Sequence, residues 1–231
     1  MEETGKNPIQ VAERLFQVIE RLAENGPMGI MDLSAELGFH KSTTHRLVTS
    51  LQYMGYIRQD EESLKYALSL KFLEIGSKIL EQTNMASLIH PSLKKLSEQT
   101  GETVHLVRRE GTEAVYIDKV ESTVSSIRMV SRVGSRIPLY CSGVGKALLA
   151  ELPDPEIEDI WNSSEITSLT PYTVTSLSDL MDRIRGVREA GYAMDDEENE
   201  EGVRCIAVSI PDYHKEPVYA LSISAPVSRM T

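Results

Sequence analysis

The sequence predicts an α+β protein of two domains, a mainly helical N-terminal domain that ends in a short hairpin and a C-terminal domain around a mostly antiparallel sheet. The chain has 231 residues, 41% of them hydrophobic and 26% charged, which gives room for two ordinary globular domains. Apolar residues recur at helical spacing in most of the first hundred residues and at alternate positions from Thr103 onward. We expect the domains at 1–67 and 86–231, with a linker helix at 68–85.

Two helices are predicted before the most informative stretch of the chain. The first runs from Ile9 to Ala23 and stops at Asn25-Gly26-Pro27, a turn sequence that breaks helices. The second runs from Ile30 or Met31 to Leu37, and Gly38 permits a tight turn into a third helix. Two helices joined by a short turn containing glycine form a helix-turn-helix unit, whose second helix enters the DNA major groove.

The third helix lies within Gly38–Gly55, a stretch without a single acidic residue in a chain of formal net charge −11. Its apolar stripe consists of Leu47, Val48, Leu51 and Met54. Arginine and glutamine can bridge the edges of guanine and adenine, and hydroxyls reach phosphates or bases. Taken alone, the stretch also fits an ordinary amphipathic helix with a solvated polar face. The two helices before it favour the interpretation as a DNA-reading helix. The predicted DNA contacts on this helix are Lys41, Ser42, His45, Arg46, Thr49, Gln52 and Tyr53.

A β-hairpin is predicted after the third helix, with strands near Tyr56–Gln59 and Leu64–Leu68 around a polar turn. In that position it is a wing, and Arg58 and Lys65 are its expected phosphate contacts. Residues 1–75 nevertheless hold 8 Lys/Arg and 11 Asp/Glu. The domain therefore lacks the basic composition of most DNA binders. We therefore expect a single copy of the domain to bind DNA weakly and stable binding to require a dimer.

The remaining elements are predicted from periodicity. The linker carries apolar Leu70, Leu73 and Ile79, which either pair with another copy or pack on their own domain. A helix follows at Ala86–Gln99. Further helices are expected at 143–151, 155–162 and 176–190, and strands at Thr103–Val107, Ala114–Asp118, Ile127–Val130, Val203–Ile210 and Pro217–Ser224.

The last two predicted strands each have a bulky apolar face and a face of small residues. Cys205, Ala207 and Ser209 alternate with isoleucine and valine, and Ala220, Ser222 and Ser224 alternate with Leu221 and Ile223. If the loop at 211–216 joins them as a hairpin that aligns the small faces, the sheet offers a shallow polar floor. The alternative is a helix packed closely on that face.

Two other segments could form walls above such a floor. A helix that begins near Gly143 has unpaired N–H groups at its start, which can hold an anion. The acidic run Asp195–Glu198 is predicted mainly as a solvated loop, in which Asp195 could instead point inward. If an anionic group of a ligand binds at the helix start, its repulsion from Asp195 predicts that the anionic group and Asp195 lie at opposite ends of the ligand.

These segments together resemble the IclR-type bacterial transcriptional regulators. The resemblance rests on Lys41–Leu47, Gly55–Ile57 and Tyr66–Leu68, and on 142–150, 191–210 and 220–231. It implies a winged helix-turn-helix joined to a GAF- or profilin-like sensor domain, a homodimer or a dimer of dimers, and a near-palindromic double-stranded DNA operator. The implied effector is a small carboxylate-bearing metabolite. The implied effector contacts are Gly143, Val144, Asp195, Cys205, Ser222 and Ser224.

Other classes of protein have less support. No apolar run approaches the ~20 residues that span a bilayer, and no signal peptide is apparent, so we expect a cytoplasmic protein without membrane contacts. Two cysteines without a CxxC pair do not support a disulfide scaffold or a structural zinc site, and Cys205, Asp195 and a histidine lack the spacing of metal ligands. We expect no cofactor. The alternative is a sensor domain with residual hydrolase activity. Its nucleophile would be Cys205 with His105 and Asp195, or Cys141 at a helix start. Because no nucleophile signature accompanies these residues, we predict a regulator without catalytic residues.

Overall fold

The computed structural model describes residues 8–82, 85–122, 131–212 and 216–230. The chain divides into two compact units, Met1–Gln82 and Thr83–Thr231. We refer to them as the N-terminal unit and the C-terminal unit. None of the helices in the described ranges is both long and apolar enough to cross a membrane.

The N-terminal unit is a winged helix-turn-helix, as predicted. Glycines in the left-handed region end its first two helices, Gly26 with φ 73° and Gly38 with φ 64°. One apolar core joins the three helices to the hairpin, with Val18, Leu33 and Val48 almost completely buried. The elements are α1 (Gln10–Asn25), α2 (Ile30–Leu37), α3 (Lys41–Tyr53), β1 (Ile57–Gln59), β2 (Tyr66–Leu68) and α4 (Lys71–Gln82).

Helix α4 corresponds to the predicted linker, and its first turn packs on its own unit. The Lys71 ammonium donates to the carbonyl of Met54 over 2.7 Å and lies 4.3 Å above the ring centroid of Tyr56. The ring of Phe72 also contacts Tyr56, with centroids 5.2 Å apart. The apolar stripe beyond this contact is exposed, and Leu73 has 69% of its surface accessible. The helix therefore has an anchored start, followed by an exposed apolar stripe.

The C-terminal unit is built on one six-stranded antiparallel sheet with the strand order β5-β4-β3-β8-β7-β6. On one face, Leu93 of α5 packs with Val104 and Leu106 of β3. On the other, α6 packs on the sheet, α8 packs on α6, and α7 contacts α8. The elements are α5 (Met85–Thr100), β3 (Thr103–Glu110), β4 (Glu113–Val120), β5 (Arg136–Pro138), α6 (Gly143–Ala150), α7 (Asp154–Ser163), α8 (Leu177–Ala190), β6 (Ala193–Asp196), β7 (Val203–Ile210) and β8 (Tyr219–Pro226).

Two edge strands were absent from the prediction. Strand β5 has three residues and ends in a proline, which sheets tolerate at an edge because proline cannot donate to a neighbouring strand. Strand β6 covers Asp195 and Asp196, so the prediction of a loop over the acidic run is wrong for these two residues. The predicted strand Ile127–Val130 lies outside the described residues.

The predicted register of the last two strands is confirmed. Cys205 lies opposite Ser224 and Ala207 opposite Ser222, while Ile206 lies opposite Ile223. Both interpretations of the small face hold, each for a different part of it. Ala207 and Ala220 pack in the core beneath α6, whereas Cys205, Ser222 and Ser224 face a cavity.

Candidate functional site

A cavity lies above the polar part of the sheet in the C-terminal unit. A narrow space, partly open to solvent, separates the sheet from the start of α6 and the β6–β7 turn. All six residues that the family resemblance implied as effector contacts line this cavity: Gly143, Val144, Asp195, Cys205, Ser222 and Ser224. Several other lining residues were not among the implied effector contacts: Tyr116, Ser131, Asn199, Glu200 and His105, which the sequence had grouped with Cys205 and Asp195 only in the hydrolase alternative.

The floor of the cavity consists of serine hydroxyls around a buried imidazole. His105 on β3 lies opposite Ser222 on β8, and only 3% of its surface is exposed. Its Nδ1 is 3.3 Å from the Ser224 hydroxyl and 3.5 Å from the Ser222 hydroxyl, and its Nε2 is 2.7 Å from the Ser131 hydroxyl. Burial, with a smaller effect of the Lys119 charge, lowers the pKa of His105 to about 3. The imidazole is therefore neutral at physiological pH.

The start of α6 forms one wall. The Ser142 hydroxyl caps the helix by accepting from the N–H of Gly145 over 3.1 Å, and the carbonyl of Ser142 accepts from the N–H of Lys146. Among the residues that the structure describes, no acceptor bonds the N–H groups of Gly143 or Val144. Both residues line the cavity. Two donors at the positive end of a helix suit an anionic ligand.

Asp195 stands beside this helix start. A Cβ atom added to Gly143 would lie 3.5 Å from the Cβ of Asp195, so the two residues are direct neighbours. A carboxylate bound at the helix start would therefore lie close to Asp195. One carboxylate oxygen accepts from the N–H groups of Glu198 and Asn199, over 2.8 and 3.3 Å. Burial raises the pKa of Asp195 to about 6, although the nearby Lys146 charge opposes the rise. Asp195 therefore titrates close to neutral pH.

A buried ion pair connects the helix wall to the β6–β7 turn. Lys146 of α6 bonds Glu198, and the side chain of each is only 1% exposed. The hydroxyl of Thr173 donates to the carbonyl of Glu198 over 2.7 Å, while Oε2 of Glu198 has no hydrogen-bond partner among the described residues. The sequence analysis had placed Glu198 in a solvated loop, and this assignment is wrong. Neither residue carries a local signal for the pair, because they are 52 positions apart.

The two thiols do not have the environment of activated nucleophiles. Cys205 donates to the hydroxyl of Ser224 over 3.0 Å. Burial, followed by the negative charge of Asp195, raises the pKa of both Cys205 and Cys141 to about 12. Reactive cysteines have the opposite shift, toward the thiolate. In the described part of the chain, no group of three or more His, Cys, Asp or Glu side chains is arranged to hold a metal ion.

The N-terminal unit presents the predicted DNA-contacting face to solvent. Thr44, Leu47, Val48 and Leu51 of α3 are buried, and the Thr44 hydroxyl donates to the carbonyl of His40. Tyr53, at the end of the same helix, is 92% exposed. Arg58 and Lys65 are exposed on the hairpin. The residues of α3 predicted to contact DNA are all exposed: Lys41, Ser42, His45, Arg46, Thr49, Gln52 and Tyr53.

Comparison with known proteins places both units in one group. Residues 11–61 match the IclR helix-turn-helix domain, and residues 77–231 match the bacterial transcriptional regulator IclR C-terminal domain. The chain is 37% identical to the acetate operon repressor of Salmonella typhimurium, over 96% of this chain and 82% of the relative. It is 38% identical to the transcriptional regulator XynR of Escherichia coli, over 96% of this chain and 88% of the relative. The crystal structure of Thermotoga maritima IclR is 32% identical and superposes with a TM-score of 0.81, over 96% of this chain and 90% of that one.

Proposed function

Because the chain belongs to the IclR family of bacterial transcriptional regulators and is itself a DNA-binding regulator, we propose that a small carboxylate-bearing metabolite in the cavity controls its affinity for operator DNA. In this proposal α3 reads the operator, with Arg46 and Gln52 at base edges, and Arg58 and Lys65 of the hairpin contact phosphates. A ligand can change DNA affinity only if it binds one arrangement of the protein better than another.

One observation in particular supports a carboxylate as the ligand. The N–H groups of Gly143 and Val144 remain available at the start of α6, on the same cavity as the hydroxyls of Ser222 and Ser224. A carboxylate has four lone-pair positions and can accept from such donors simultaneously. Asp195 lies beside these donors. When ionised, it would repel the carboxylate of the ligand but could accept a hydrogen bond from a ligand hydroxyl. When protonated, near neutral pH and below, it could share its proton with the carboxylate.

We expect binding of a 2-oxo or 2-hydroxy acid to be coupled to proton uptake by Asp195. The pKa of Asp195 in the free protein is about 6, and a bound carboxylate nearby raises it further. Between the two pKa values the complex holds more protons than the free protein, so affinity should increase as the pH falls from about 8 toward 6. Pyruvate and lactate are the first probes, with calorimetry at several pH values as the measurement.

Two variants distinguish this coupling from a general effect of pH. Asp195→Asn keeps an oxygen that accepts from the N–H groups of Glu198 and Asn199, and should remove most of the pH dependence of binding. Asp196→Asn changes the charge of the neighbouring residue, which is exposed on the other face of β6 and pairs with Arg204, and should leave the dependence unchanged. If no small acid stabilises the folded protein or alters operator binding, the effector proposal fails. At 100 times its dissociation constant a ligand adds roughly 2.7 kcal/mol to stability.

We propose that the exposed face of α4 pairs with a second copy of the chain. The acidic balance of residues 1–75 makes a single winged helix a weak DNA ligand, and a two-fold dimer fits the predicted near-palindromic operator. Leu73→Asp should therefore shift the protein toward monomer and weaken operator binding, both measurable by analytical ultracentrifugation and anisotropy. Glu74→Ala, an exposed change on the same helix, is the control. A dimer of unchanged stability in Leu73→Asp would exclude this face as the interface.

A further inference from the structure

Four side chains form a continuous line of hydrogen-bonding groups across the cavity floor. Cys205 Sγ is 3.0 Å from Ser224 Oγ, which is 3.3 Å from His105 Nδ1. The other ring nitrogen, Nε2, is 2.7 Å from the hydroxyl of Ser131. The Ser222 hydroxyl is a second neighbour of Nδ1, at 3.5 Å. The direction of the protons along this line decides whether the two serines on β8 donate to a ligand or accept from it.

The geometry favours one direction. The distance of 2.7 Å at Nε2 lies at the short end of the range for N–H donors and in the middle of the range for hydroxyl donors, so we assign Ser131 as the donor to Nε2. The imidazole then carries its single proton on Nδ1. The two longer distances from Nδ1, to Ser224 and Ser222, suit one N–H shared between two acceptors. The thiol of Cys205 also donates to Ser224, because burial keeps this thiol protonated.

We propose that His105, through its Nδ1–H tautomer, is a positioning residue that sets the cavity's specificity for an anionic group. The N–H of His105 and the thiol of Cys205 occupy the acceptor positions of Ser224, so its own hydroxyl proton is directed into the cavity. Ser222 likewise accepts from Nδ1 and keeps its proton for the ligand. The inference rests on the proposed effector function, and it identifies what makes the floor a donor surface.

The consequence for recognition follows from counting donors. Two serine hydroxyls and the two N–H groups at the start of α6 all donate, so the complementary ligand group only accepts, as a carboxylate does. In the other tautomer, Nδ1 would accept from one serine and remove that proton from the cavity. The floor would then suit a neutral amide about as well as a carboxylate. Burial keeps His105 neutral, so the ring has one donor and one acceptor nitrogen, and the distances at these two nitrogens distinguish the two tautomers.

The first experiment reads the tautomer directly in the full-length protein. Labelling with ¹⁵N at histidine alone and recording solid-state NMR spectra distinguishes protonated from unprotonated ring nitrogens, and the signal that His105→Asn removes is that of His105. We expect a neutral ring with the proton on Nδ1, both without ligand and with pyruvate added. A proton on Nε2 in the ligand-free protein would overturn the proposal, whether or not any ligand is found. A charged ring would overturn it as well.

The second experiment compares variants for binding of pyruvate and of pyruvamide, its neutral analogue. Asparagine can place an N–H near the position of Nδ1, so His105→Asn should keep the preference for pyruvate within about threefold of that of the wild type. His105→Leu fills the space without a donor and should reduce the preference roughly tenfold, the effect of one hydrogen bond. His90→Asn, an exposed change on α5, is the control.

The possible outcomes separate the two proposals. If the wild type binds neither compound nor any other small acid, the effector function fails. If it binds pyruvate and His105→Leu retains the full preference over pyruvamide while remaining folded, only the role of His105 fails. Loss of the preference in both His105→Leu and His105→Asn would also contradict the role, because the asparagine should restore it.

Discussion

Arg46→Ala is expected to weaken binding to the operator by about 1–3 kcal/mol at each half-site, and by twice that for a dimer that contacts both. Arg46 lies on the exposed face of α3, and the stretch around it, from Gly38 to Gly55, contains no acid that would neutralise its charge. A guanidinium can donate two hydrogen bonds to guanine in the major groove, and alanine replaces none of them. Fluorescence anisotropy with operator and random DNA at several salt concentrations measures the loss.

Comparison with a phosphate contact tests whether Arg46 reads bases. Lys65→Ala on the hairpin should weaken binding to operator and random DNA equally and should reduce the slope of affinity against salt by about one charge. Arg46→Ala should instead reduce the ratio between the two affinities. Equal losses on both DNAs in Arg46→Ala would mean that this residue positions the protein without reading sequence.

Lys146→Met is expected to destabilise the C-terminal unit by about 3–5 kcal/mol, because it leaves the carboxylate of Glu198 buried without its partner. Both side chains are almost completely inaccessible, and one oxygen of Glu198 already has no hydrogen-bond partner among the described residues. Arg183 is 3.8 Å from Glu198 but is half-exposed, so it offers little compensation. Trp161, the single tryptophan, is partly buried against the core of this unit and reports its unfolding in urea.

Two further variants test the reason for that loss. Lys94→Met removes an exposed lysine of α5 that is 4.0 Å from Glu98, and should change stability by less than about 1 kcal/mol. The double variant Lys146→Met with Glu198→Leu removes both charges and should recover most of the stability, since an apolar pair of similar volume is often as stable as a buried ion pair. A double variant as unstable as the single one would show that packing, not the unpaired charge, causes the loss.

The sequence predicted the register of β7 and β8 because the information is local and periodic. Ser222 and Ser224 alternate with Leu221 and Ile223, and a slip of one residue would place serines in the apolar layer beneath the sheet. The helix-turn-helix was predictable for a similar reason, since Gly38 and the apolar residues of three helices lie within about fifty positions.

Other parts of the site could not be predicted, because their partners are distant in the sequence. The alternation of β3 places His105 on one face, but only the pairing of β3 with β8 brings it to Ser222. Strand β6 has four residues, two of them acidic, and it exists because it pairs with β7. The burial of Glu198 depends on Lys146, which the sequence presents only as a lysine near a helix start.

The strand order also determines when the cavity can form during folding. Strand β8 lies in the middle of the sheet, between β3 and β7, and the residues His105 and Ser222 that meet there are 117 positions apart. Closing so long a loop costs entropy before any contact forms, so pairings of this kind are slow. In the N-terminal unit the pairing of Met28 with Tyr66 closes a much shorter loop, so the corresponding delay is smaller. We therefore expect a newly made chain to complete its DNA-binding surface before its cavity. During that interval the chain has a DNA-binding surface but no effector cavity.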